Sequence, residues 1–103
     1  MTLAEIRDLL LRELAARALA GDKVKEFIRG DPRSVVLWRF GKPLVLRHIK
    51  PGKRVRLYDK FYGDEPLVVE RVEALQVMFG SPRVVVAMGH FLNAVVKGNA
   101  VDA

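Results

Sequence analysis

Leu3, Ile6, Leu10 and Leu14 recur at intervals of three and four, with charged residues between them, so the chain opens on one face of an amphipathic helix. Thr2 and Glu5 stand at capping-box spacing ahead of it, where hydroxyl and carboxylate satisfy amides that a helix start leaves bare. Asp8 with Arg12 and Glu13 with Arg17 lie one turn apart with the acid first, the favoured order. Gly21 suits a left-handed cap, and Asp22 suits the N-cap of a shorter helix through Val24, Phe27 and Ile28 that ends at Gly30. Residues 1–30 therefore predict a helical hairpin.

Beyond Pro32 the texture changes to short β-branched and aromatic runs, which predict strands over 34–40, 43–49, 54–59 and 83–88. Gly41-Lys42 reads as a tight hairpin between the first two, with Pro43 opening the second strand. Lys50-Pro51-Gly52-Lys53 reads as a turn, because proline presets one dihedral and glycine permits a positive one. The stretch 64–79 suits either a helix or a bulged strand, and the strand is preferred for Leu67 to Val72. Residues 89–98 predict a short closing helix, and the last residues are expected to fray. The predicted fold class is α+β: an N-terminal helical hairpin packed on a small antiparallel sheet or partial OB-like barrel, then a short C-terminal helix. One domain is expected over 1–103, with the hairpin at 1–30, a β-rich basic core at 33–88 and helix and tail at 89–103.

A chain of 103 residues, half of them hydrophobic and 29% charged, can bury one core and is not a disordered composition. It has no cysteine, which excludes disulfides, thiolate metal sites and cysteine nucleophiles. The first twenty residues carry charges too often for a secretory leader, and no apolar run approaches a membrane span, so a cytoplasmic protein is expected. Gln76, Asn93 and Asn99 are the only side-chain amides, a bias that points to a hot environment.

Charge is segregated. The formal net charge is +6, yet Arg33 to Lys60 hold nine basic residues against Asp59 alone, and the rest of the chain is slightly acidic. Such clustering is the footprint of a polyanionic partner, here nucleic acid. Strand alternation over 54–58 places Val55 and Leu57 on one face and Arg54, Arg56 and Tyr58 on the other. Guanidinium groups pair with phosphates and a phenol ring stacks on any base, so this face suits a single strand. Arg39, Lys42, Arg47, Lys50, Lys53 and Lys60 extend the basic set, and Trp38, Phe61 and Tyr62 are further candidate stacking platforms. A tryptophan in such a run is more often a core anchor than a base platform.

The order "VVLWRF", a gap, then "IKPGKRVRLYDKFYGDEPLVVERVEALQV" resembles the latter strands of the single-strand-binding OB domains of archaeal replication protein A. The resemblance covers about Val35 to Val77 and implies a groove lined by Trp38, Arg54, Arg56, Tyr58 and Phe61. Two predicted helices stand where that family has its first strands, and Lys53 replaces an acidic residue of its turn.

Two other readings compete. A structural or assembly subunit of a nucleoprotein complex would use the same basic face and associate, as a homodimer or with a protein partner, through Leu9, Leu11 and Leu19 of the first helix. A metal-independent ribonuclease of the mRNA-cleaving toxin type would draw on His48, His90, Arg71 and Tyr58. No catalytic, phosphate-loop or dinucleotide signature is present and the two histidines lack a carboxylate cluster, so neither enzyme activity, cofactor nor metal is expected.

Overall fold

The computed structural model describes residues 1–19, 35–58, 65–80 and 82–103. The predicted second helix at 22–30 lies outside the described residues, as do Lys60, Phe61 and Tyr62. The elements are α1 (Leu3–Leu19), α2 (Val35–His48), β1 (Arg54–Leu57), β2 (Leu67–Val72), β3 (Gln76–Gly80), β4 (Val84–Ala87), α3 (Met88–Lys97) and β5 (Ala100–Asp102). The strands form an open antiparallel sheet in the order β4-β3-β2-β1-β5, so the α+β class holds. None of the described helices is long and apolar enough to cross a membrane.

The capping box is formed as the sequence predicts. The Thr2 amide donates to Glu5 Oε1 at 3.0 Å and the Glu5 amide donates to Thr2 Oγ1 at 3.1 Å. Hydrogen bonding from the Thr2 amide first, and from the Thr2 side chain second, holds the Glu5 carboxyl below its ordinary pKa. Leu3, Ile6, Leu10 and Leu14 all enter the core, while Leu11 packs half-buried against it.

The two strands and hairpin expected over 34–49 are instead one helix, α2, and this is the main correction to the sequence reading. Among the described side chains of α2, Leu37, Gly41 and Val45 are buried, an i, i+4, i+8 stripe that turns toward α1 and α3. Of the residues that suggested strands, Leu37 and Val45 fall on this stripe, and burial there overrides the weak strand propensity of the run. Gly41 permits a close approach rather than a turn: a Cβ there would lie 2.5 Å from Leu92 Cδ2 and 3.3 Å from Leu10 Cδ2. Pro43 stands inside the helix on its exposed side, where the missing amide leaves the Arg39 carbonyl on the solvent face.

The Lys50–Lys53 turn forms as expected. The Lys53 amide donates to the Lys50 carbonyl at 3.2 Å around Gly52, whose φ is +93°. Gly52 N–H and Lys53 C=O both bond to Val69, which fixes the entry of β1 beside β2. In β2 the register shifts between Val69 and Arg71, so Glu70 and Arg71 are both exposed while Val69 and Val72 face Phe79 and Val77. The bulged-strand reading of Leu67–Val72 is therefore the observed one.

One face of the sheet is buried beneath α1 and α3. Val55, Leu57, Val69 and Phe79 share one core cluster with Phe91 and Leu92, the rings of Phe79 and Phe91 lying 6.3 Å apart. α3 follows β4 directly and ends in a left-handed cap at Gly98, φ +77°. The Arg7 Nε–H also donates to the Val96 carbonyl at 2.9 Å, so α1 helps close the end of α3. The tail does not fray: β5 pairs with β1 at Val55–Asp102, Arg56–Val101 and Leu57–Ala100.

Candidate nucleic-acid interface

β1 carries its cations as alternation requires. Val55 and Leu57 are buried at 0% and 3% exposure, so Arg54 and Arg56 project from the opposite, outer face of the sheet. Tyr58 follows the strand at 50% exposure, and its amide bonds to the Asn99 carbonyl at 2.7 Å, which extends the β1–β5 pairing by one residue. The spacing of alternate residues along the strand is ~6.6 Å. Arg54, Arg56 and the Tyr58 position thus form a short linear track beside Val101 of β5.

Among the described residues no carboxylate pairs with Arg54 or Arg56. Among the described residues Arg56 Nε is shielded from solvent and finds no hydrogen-bond partner. A buried N–H without an acceptor is costly, on the order of 1–3 kcal/mol, and rare in folded proteins. Lys53 differs, because its Nζ lies 3.0 Å from Asp102 Oδ1. That carboxylate also accepts the Leu3 amide at 3.2 Å.

The remaining basic residues form a second surface. α2 contains no acid, and Arg39 and Arg47 lie exposed along the side that also bears Pro43. Lys42 stacks over the Trp38 ring at 4.9 Å to its centroid, so the indole, half-buried against the core, serves as a cation platform within its own helix. Arg17 stacks over Phe40 in the same way at 4.3 Å. α2 packs on α1 and α3, which cover the inner side of the sheet. Arg39, Lys42, Arg47 and Trp38 are accordingly separated by the helical layer from Arg54, Arg56 and Tyr58, with Lys50 and Lys53 in the turn between. Trp38 on a helix also leaves the Leu-Trp strand of the OB resemblance without a counterpart here.

The outer face is not uniformly basic. Glu70 lies across Gly80, where a Cβ would approach its Oε2 to 2.8 Å, and Arg71 Nε pairs with Glu73 Oε1 at 3.0 Å. These acids lie on the β2–β3 side, which leaves the β1–β5 side as the cationic lane.

The histidines take separate places, half-buried His48 at the end of α2 and exposed His90 in the first turn of α3. With Arg71 engaged by Glu73, the four residues of the ribonuclease reading stand on four different elements or their ends. No group of His, Asp and Glu suited to a metal is present among the described residues.

No family model, no curated protein and no solved structure matches this chain.

The functional reading accordingly rests on side-chain chemistry. Sequence alternation alone could find Arg54, Arg56 and Tyr58. It could not find the commitment of Lys53 to Asp102, because β5 was not legible as a strand.

Proposed function

We propose that this protein binds single-stranded nucleic acid along the outer face of β1. The observation that carries the reading is the pair Arg54 and Arg56, projecting from one strand face with no carboxylate partner among the described residues, with half-exposed Tyr58 continuing the track. Phosphate oxygens pair with exposed guanidinium groups, and the phenol ring offers a base a stacking surface that no particular sequence is needed to use. Segregation of charge supports it, since Val35 to Tyr58 hold seven basic residues and no acid. Lys50, in the turn that leads into β1, adds longer-range attraction toward this strand.

The experiment is equilibrium binding of labelled single strands and duplexes of DNA and RNA across a salt series. If four to six phosphates are neutralised, log affinity for single strands falls against log salt with a slope of roughly −3 to −4. Replacing Arg54 and Arg56 together with alanine flattens that slope by about one to two, as two fewer counterions are released. Affinity independent of salt, or a slope unmoved by the double substitution, removes the reading.

A further inference from the structure

We infer that a bound single strand seats a guanine in a shallow cavity on the outer face of β2 and β3, read there by the Glu70 carboxylate, a base preference that rests on the single-strand reading above. The cavity, about 460 Å³, is lined by Pro51, Val68, Val69, Glu70 and Gly80. Small-ligand sites run to roughly 300–1,000 Å³, so its size is ordinary for one. Register places it beside the cationic lane. Arg54 pairs with Val68 and Val68 pairs with Gly80, so the three form one row across β1, β2 and β3. All three positions face outward, since their neighbours Val55, Val69 and Phe79 are buried. Gly80 stands two strand steps from Arg54, ~10 Å at ~4.8 Å per step. One nucleotide bridges that span from its phosphate to the far edge of its base.

The walls are held in place before any ligand arrives. Gly52 N–H donates to the Val69 carbonyl at 2.7 Å and Val69 N–H donates to the Lys53 carbonyl at 2.8 Å, which keeps the turn and its Pro51 against β2. Gly80 leaves the space that the carboxylate occupies, because a Cβ there would lie 2.8 Å from Glu70 Oε2. Val68, 41% exposed, gives a flat ring an apolar surface to lie on. Glu70 is exposed and joins no ion pair among the described residues, so its oxygens are open to a ligand.

Charge and hydrogen bonding select the occupant. A carboxylate accepts hydrogen bonds and donates none, and it repels phosphate, so the part of a strand that enters here is a base while the phosphate stays with Arg54. Arg54 and Lys50 on the adjoining strand and turn oppose a basic peptide, and no group of His, Asp and Glu suited to a metal is present among the described residues. Guanine presents two donors side by side, N1–H and the N2 amino group, which the two oxygens of one carboxylate take as a bidentate pair. Cytosine and adenine offer a single amino donor next to a ring-nitrogen acceptor. Uracil and thymine flank their one N3–H with two carbonyl oxygens that the carboxylate repels.

The test is equilibrium binding of the intact chain to a labelled oligouridylate and to the same oligomer carrying one central guanosine. The wild type should bind the guanosine oligomer roughly five- to a hundredfold more tightly, the discrimination of one bidentate contact, with the same salt slope for both. Inosine in place of guanosine lacks the N2 amino group and should lose most of that preference. Glu70→Gln should abolish it, and Gly80→Ala, whose Cβ displaces the carboxylate at unchanged charge, should do the same, both with an unchanged circular dichroism spectrum. Equal affinity of the wild type for the two oligomers, inosine bound as tightly as guanosine, or a preference that persists in the folded variants overturns the inference and leaves single-strand binding standing. If neither oligomer binds, the single-strand reading fails and the base preference falls with it.

Discussion

Lys53 Nζ lies 3.0 Å from Asp102 Oδ1, and the same oxygen accepts the Leu3 amide, so one carboxylate ties the entry of β1 to the last strand and to the first turn of α1. Both side chains keep partial access to solvent, which limits the ion pair to about 1 kcal/mol or less. Asp102→Asn retains an acceptor for the Leu3 amide and releases the Lys53 ammonium. Denaturant melts should show a loss of no more than about 1 kcal/mol. Single-strand affinity should rise and the salt slope steepen by up to about 0.7, the value of one added phosphate contact. An unchanged slope would place Lys53 outside the interface.

Pro43 offers a direct check on α2, because a helix and a hairpin answer oppositely to its removal. In a helix Pro43→Ala restores an amide for the Arg39 carbonyl, a gain of ~3 kcal/mol reduced by up to about 1 as the unfolded chain regains freedom. Chemical denaturation should therefore show stabilisation of roughly 2 kcal/mol. At neighbouring Gly41 the sign reverses, since a larger side chain meets Leu92 and Leu10. Gly41→Val should cost about 1 to 3 kcal/mol by overpacking.

Tyr58 separates stacking from charge. Tyr58→Ala removes a platform worth about 1–3 kcal/mol per base without altering formal charge. Single-strand affinity should fall roughly five- to a hundredfold at nearly constant salt slope, while duplex binding, whose bases are already stacked, should hardly change. Equal insensitivity of both in a folded variant would leave only a basic surface.

The Glu5 carboxyl ties helix capping to pH. Its pKa is lowered in the folded state by the hydrogen bonds with Thr2, so the unfolded chain binds the proton more readily than the folded one. The stabilisation is thus complete above the ordinary glutamate range and is lost as pH falls through the lowered native value. The stability gap between wild type and Glu5→Gln, followed by thermal melts across pH, should be widest near neutrality and close in acid. A gap that grows on acidification would contradict the capping assignment.

Local signals were sufficient wherever a short stretch of chain satisfies itself. Thr2 and Glu5 close a box across one turn, Pro51 and Gly52 shape a turn from their own dihedral limits, and Arg54, Val55, Arg56 and Leu57 sort onto two faces by backbone geometry alone. The α+β class and the cationic strand face were legible for that reason. Residues 35–48 were not, because their apolar positions fit either period, and the choice fell to what lies opposite. Gly41 reads as a turn until Leu10 and Leu92 are seen against it, and only that contact makes a helix the conformation that buries Leu37 and Val45. β5 escaped for a related reason: three residues have little propensity of their own, and Ala100–Asp102 become a strand only because β1 offers them its free edge. The sorting of the basic residues was likewise a tertiary outcome. Sequence joins Arg39 to Arg56 in one cluster, whereas the helical layer between α2 and the sheet divides that cluster into two surfaces, and Asp102 removes Lys53 from full availability.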